Sequence, residues 1–83
     1  MKLVLICDEE KIYEGDVSQV DIETESGATS ILPQHQPYMT KISGKISYKP
    51  VGANVKLIDI SAGFIYTDGV VCFAVVDKWN FCK

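Results

Sequence analysis

Thr40-Lys41-Ile42-Ser43-Gly44-Lys45-Ile46-Ser47-Tyr48-Lys49 alternates without a break. Thr40, Ile42, Gly44, Ile46 and Tyr48 fall on one face, and Lys41, Ser43, Lys45, Ser47 and Lys49 on the other. A period of two is that of a strand with one side buried and one in water. The pattern continues outward. Val20, Ile22 and Thr24 alternate with Asp21, Glu23 and Glu25, and Ile58, Ile60, Ala62, Phe64 and Tyr66 share one predicted inward face. Leu3 to Cys7 and Val70 to Val76 are nearly unbroken apolar runs, which predicts strands covered on both faces. No window carries the i, i+3, i+4, i+7 spacing of an amphipathic helix.

Turn signals punctuate these runs at Glu14-Gly15-Asp16, Ser26-Gly27, Pro50 to Asn54 and Asp68-Gly69. The last is the pairing that a type I′ hairpin favours, because both central residues need positive φ. The stretch Ser26 to Thr40, with Pro33, Pro37 and the single His35, reads as a shaped, stiff loop. The expected fold is all-β: a small antiparallel β-sandwich or flattened barrel of about seven to ten short strands.

The whole chain, residues 1–83, is expected to form one domain. At this length roughly 60–65% of the unfolded chain's surface can be buried, so the stability margin is thin. Hydrophobic residues at 47% and charged residues at 23% describe a folded globule rather than a disordered segment. The net charge of −3 is uneven: up to Glu25 there are eight carboxylates against Lys2 and Lys11, and beyond it six lysines against three aspartates. Every basic residue is lysine, so no guanidinium fork exists for bidentate contacts to phosphate or guanine. Nucleic-acid binding is disfavoured. Leu3-Val4-Leu5-Ile6 is stopped by Asp8, Glu9 and Glu10 before it reaches signal-peptide length, and no run is long enough for a membrane span. The reading is of a soluble protein without direct membrane insertion.

The residue types that carry chemistry lack partners. His35 has no second histidine to complete a common zinc set, so a hydrogen bond to its own loop or, in preference, a protein contact is expected of it. Cys7, Cys72 and Cys82 show no C-x-x-C spacing, and the first two lie in apolar runs where a thiol packs as a small hydrophobe. Asp8, Glu9, Glu10 and Glu14 do not have the spacing of a calcium loop and read as a solvated acidic turn. Ser61-Ala62-Gly63-Phe64 is no nucleophile elbow, and its glycine predicts a bulge or a close backbone approach. No phosphate-binding glycine loop is present. The reading assigns no catalytic residue, metal or cofactor.

The order of features resembles the epsilon subunit of the F-type ATP synthase, in its N-terminal β-sandwich. The residues that carry it are Tyr13-Glu14-Gly15 leading to Val17 and Val20-Asp21-Ile22, then Gly27, Ile31-Leu32-Pro33, His35, Pro37 and Thr40. Ile42, Gly44, Ile46 and Ile60-Ser61-Ala62-Gly63-Phe64 follow, and the apolar run closes at Asp77. The resemblance implies a non-catalytic rotor part in the central stalk, with the gamma subunit and the c-ring as partners, peripheral to the cytoplasmic face of the bacterial inner membrane. It places Cys7, His35 and Thr40 on the gamma-facing side and Ser26, Gly27, Ala28, Thr29, Ser30, Ile31 and Leu32 in the c-ring contact loop. Ala28, Ser30 and Ala62 depart from the usual family residues. The family's C-terminal pair of helices has no counterpart after Asp77, so the roles of that pair are not carried over. The tail from Trp79 to Cys82 is expected to pack on the sandwich or on a partner. Two other readings remain at this point: an OB-like β-barrel that binds nucleic acid or oligosaccharide, and, ranked last, an enzyme with a cysteine or histidine nucleophile.

Overall fold

The computed structural model describes residues 1–81, the last of them by backbone alone, so Cys82 lies outside the described residues. Seven strands follow in order: β1 (Lys2–Cys7), β2 (Glu10–Thr24), β3 (Gly27–Ile31), β4 (Tyr38–Pro50), β5 (Lys56–Thr67), β6 (Val71–Val76) and β7 (Trp79–Phe81). Hydrogen bonding runs β1-β6-β5-β4-β2 and returns from β2 to β1, closing a five-stranded ring. The short β3 adds to β2, and β7 adds to β5. The all-β expectation holds, with fewer and longer strands than "short" implied: β2, β4 and β5 have 15, 13 and 12 residues. All pairings are antiparallel except β1 with β6, which is parallel.

The long strands bend, and the bends explain how one ring is also two layers. β2 pairs with β1 over Glu10–Asp16 and with β3 over Val20–Thr24, with a register shift between Val17 and Gln19 as its pairing passes from one to the other. β5 does the same, pairing with β7 around Asp59 and with β6 from Gly63 onward. Opposite Ser43/Gly44 of β4 it carries an extra residue, Ser61. A bulge both kinks a strand and reverses the phase of every side chain beyond it.

This phase reversal corrects one expectation. Ile58 and Ile60 point into the core as predicted, but past Ser61 the buried residues are Ile65 and Thr67, while Ala62, Phe64 and Tyr66 turn outward. The apolar run of β6 is likewise buried on one face only: Cys72, Ala74 and Val76 point in, and Phe73 and Val75 point out. β4 matches its predicted alternation, with Ile42, Ile46 and Tyr48 buried and the lysines exposed. The core formed by Leu3, Leu5, Val20, Ile22, Ile31, Ile46, Ile58 and Ile65 is nearly inaccessible to water. A group of this kind contributes roughly 1.5–3 kcal/mol per side chain by leaving water.

Two turns also differ. Glu14-Gly15-Asp16 is no turn but part of β2, where Gly15 leaves space beside the Tyr13 hydroxyl that a Cβ would meet at 2.8 Å. At Asp68-Gly69 only Gly69 has positive φ (95°), whereas an I′ turn centred on this pair needs positive φ at both residues. The pair with positive φ at both positions is Asp8 (50°) and Glu9 (66°), joining β1 to β2. Gly63 confirms the close approach read from sequence, since a Cβ there would run into the Val75 carbonyl oxygen and stand 3.0 Å from the Val76 Cα. Trp79 packs against the core through β7, as the tail was expected to do, whereas the expectation for Cys82 falls outside the described residues.

Candidate interaction surface

The stiff loop is shorter than expected, because Gly27 to Ile31 form β3 and only Leu32 to Pro37 remain irregular. The His35 amide donates to the Leu32 carbonyl (3.1 Å). Pro33 and Gln34 are thus the central residues of a tight turn, and Gln34 has φ 67°. Proline followed by positive φ is the signature of a type II turn. The Gln34 amide then donates to the Gly69 carbonyl (2.8 Å), which fixes the loop to the β5–β6 hairpin. That hairpin is itself internally bonded. Asp68 Oδ1 accepts from the Val71 and Val70 amides, holding its carboxyl below the usual range, and the buried Thr67 hydroxyl accepts from the Gly69 amide (3.0 Å) and donates to the Val71 carbonyl (3.1 Å).

His35 makes the bond to its own loop, the less favoured of its two expected roles. Its Nδ1 lies 2.6 Å from the Gln36 carbonyl, an acceptor, so Nδ1 carries the proton of that bond. The ring stands 5.5 Å from the Tyr38 ring. Thr40 is half-buried on β4 and borders, with Tyr38, Thr24 and Ser26, a polar cleft of about 270 Å³. Cys7 is elsewhere. It pairs with Val76 at the end of β6, whereas the His35 loop docks before Val71 at its beginning. Five residues of strand put about 17 Å between these two levels. The structure therefore puts His35 and Cys7 at opposite ends of the barrel, with Thr40 between them: it pairs with Ile65, whose partner Ala74 is two residues from Val76.

That separation bears on chemistry. A cysteine nucleophile needs a base within hydrogen-bond reach. Cys7 Sγ instead donates to the Asp77 carbonyl (3.4 Å), and burial, helped by the acidic neighbours Asp8, Asp77 and Glu10, pushes its thiol up. Burial pushes Cys72 up to about 12. Both thiols are protonated at neutral pH. Among the described residues no group of histidine, cysteine and carboxylate side chains could hold a metal ion.

The segment Ser26 to Leu32 is the β2–β3 turn plus the edge strand β3. Thr24 Oγ1 donates to the Gly27 carbonyl (2.9 Å) and accepts from the Ser26 amide (3.1 Å), locking the turn. Ser30 donates to Asp21 Oδ1 (2.5 Å) across the strands. Ile31 is fully buried, so its side chain serves the core; Ala28 and Ser30 are exposed and Leu32 is half-exposed.

The surface that sequence reasoning missed is apolar. Outward-facing Met39, Tyr66 and Phe73 occupy adjacent strands in register, as do Phe64, Val75 and Ile6, so one patch crosses β4, β5, β6 and β1. Phe64 remains 55% exposed and Val75 50%. Phe64 separates two grooves, one of about 470 Å³ bounded by Asp8, Glu9, Ala62, Val75 and Asp77, the other of about 350 Å³ bounded by Glu25, Lys41 and Ile42. Contiguous exposed apolar surface on a small soluble fold marks an interaction site.

Against this geometry, a family model described as the ATP synthase, Delta/Epsilon chain, beta-sandwich domain, matches residues 1–79. The chain belongs to this family. Over 56 residues it is 39% identical to the ATP synthase epsilon chain of Halalkalibacterium halodurans, a match covering 66% of this chain and 41% of that one. Over 61 residues it is 34% identical to the ATP synthase epsilon chain of Caulobacter vibrioides, covering 72% and 70%. The fold recurs in a chain of the Euglena gracilis mitochondrial ATP synthase OSCP/F1/c-ring assembly, with TM-score 0.88 and 22% identity over 95% of this chain and 51% of that one. It recurs again in a chain of the Tetrahymena thermophila mitochondrial ATP synthase central stalk and c-ring, with TM-score 0.80 and 12% identity over 96% and 65%. The chain thus spans about two fifths of the first relative's length and about half of the Euglena chain.

Proposed function

We propose that this chain is a non-catalytic rotor part of a proton-translocating ATP synthase, seated on the gamma subunit and on the c-ring and coupling rotation of the ring to the catalytic head. The observation that carries the reading is the family match over residues 1–79, supported by relatives that are themselves ATP synthase epsilon chains. Mechanically the fold suits the task. A ring of strands hydrogen-bonded on every side and filled at solid-like packing density deforms little under load. In this reading Cys7, His35 and Thr40 mark gamma-facing positions, Cys7 acting through the strand end it anchors because its own side chain is buried. The β2–β3 hairpin from Ser26 to Leu32 meets the c-ring. The protein is then peripheral to the cytoplasmic face of the bacterial inner membrane and reaches it through the complex.

The OB-like binding reading has less support, since the family match favours the synthase and the surface lacks arginine. The test is recovery of tagged chain from solubilised membranes of its own organism. The expected result is co-purification with gamma and the c-ring. A folded tagged chain recovered without either would overturn the proposal.

A further inference from the structure

We infer that Asp68-Gly69 is a modification site held shut by the fold: isomerisation of aspartate to isoaspartate starts there, the hydrogen bonds of the β5–β6 hairpin suppress it, and its product undocks the His35 loop. In an Asp-Gly pair the glycine nitrogen, unshielded by a side chain of its own, can attack the aspartate Cγ. The new N–C bond closes a succinimide ring, and one carboxyl oxygen leaves as water with the carboxyl and amide protons. Water then opens the ring. When it adds at the Asp68 backbone carbonyl carbon, the bond from that carbon to the Gly69 nitrogen breaks, and the chain continues through Cβ and Cγ. No oxidant or cofactor enters, and the mass is unchanged. The chain has this one Asp-Gly pair and no Asn-Gly.

Each atom that the reaction needs is engaged elsewhere. Asp68 Oδ1 accepts from the Val70 and Val71 amides, both at 2.9 Å. These bonds also favour the ionised carboxyl, whereas the protonated form is the one that sheds water. The Gly69 amide donates to Oγ1 of the fully buried Thr67 at 3.0 Å, and Gly69 is itself buried. Its carbonyl receives the Gln34 amide at 2.8 Å, and its Cα lies close against Gln34 and His35. Swinging the pair into the attacking geometry therefore means opening the hairpin and releasing the loop together. Conversion is confined to the open fraction of molecules, as proteolytic cleavage is. Once formed, isoaspartate places Cβ in the main chain next to the Gly69 contact, and the fit of Gly69 to Gln34 is lost.

The experiment incubates the full chain at neutral pH, folded and in denaturant, beside Thr67→Val and Asp68→Asn. Isoaspartate at position 68 is read by peptide mapping and isoaspartyl methyltransferase labelling, and urea curves give each chain's unfolded fraction. The folded parent is expected to convert at least about ten-fold more slowly than the denatured one. Thr67→Val leaves the Gly69 amide without its acceptor, so it should convert several-fold faster than the parent, beyond what its unfolded fraction supplies. Asp68→Asn keeps the Oδ1 acceptor, and its deamidation should show the same protection; it carries the test where Thr67→Val does not fold. Folded and denatured parent within about two-fold of each other would overturn the inference, as would a rise in Thr67→Val explained by unfolding alone. In the purified isoaspartate form the Gln34 amide should exchange its hydrogen at least about ten-fold faster than in the parent, and unchanged exchange would remove the undocking.

Discussion

Gly69 receives the Gln34 amide on its carbonyl at 2.8 Å, and a methyl group on its Cα would stand 2.6 Å from the His35 carbonyl oxygen. The histidine loop therefore lies on a hairpin whose tip must be glycine, for two independent reasons: the contact, and a φ of 95°.

Gly69→Ala meets both obstacles, and neither opposing group is a flexible side-chain end. A loss of about 2 kcal/mol or more is expected. Urea denaturation should show it as a lower midpoint at unchanged slope.

Glu9 and Gln34 hold left-handed backbone that suits glycine better. Glu9→Gly and Gln34→Gly are each expected to stabilise by about 1 kcal/mol, since relief of the steric cost exceeds the extra entropy of the unfolded chain. A lower melting temperature in either variant would contradict the turn geometry.

Phe64 and Ile65 are neighbours in sequence with opposite fates. Ile65→Ala should cost about 2–5 kcal/mol, whereas Phe64→Ser should change stability by about 1 kcal/mol or less. Had the alternation run on from Ile60 without the bulge, the order would be reversed. A pair of denaturation curves decides it.

Glu14 accepts from Lys11 (2.5 Å) and Lys2 (2.6 Å), and these bonds hold its carboxyl down to about 2. A depressed pKa stabilises the fold above the unfolded value, and that contribution is lost as pH falls from about 4.5 to about 2. Asp68, held down by the Val71 and Val70 amides, acts in the same direction. Glu14→Gln should lose a little stability at neutral pH, a loss that closes as pH falls over this range and so flattens the acid limb, the whole effect being small because the ion pairs are exposed and screened. Denaturant midpoints measured at stepped pH would check it.

Much of this was readable from residues alone. The Thr40–Lys49 alternation gave β4 face by face, and the spacing of Ile31-Leu32-Pro33, His35 and Pro37 gave the family. What was not readable depends on partner strands. Ser61 is a bulge only because Ser43 and Gly44 lie opposite it, so the outward turn of Phe64 and Tyr66 had no local signal. The unbroken β6 run looks doubly covered, yet nothing among the described residues covers Phe73 and Val75. Glu9 is a poor candidate for positive φ and adopts it because Cys7 and Glu10 are paired with only two residues between them. The implied gamma positions do not cluster, because Cys7 and the His35 loop lie at opposite ends of β6.

The one parallel pairing has a consequence for how the molecule comes into being. β1 and β6 meet across a separation of about 70 residues, among the longest this chain allows. The antiparallel neighbours can zip locally as they emerge during synthesis, but Leu3 and Leu5 must wait for Cys72 and Ala74. Birth of the barrel is thus a clasp fastened at the end, and until it fastens, the opening strand is an unprotected edge that chaperones or aggregation can claim.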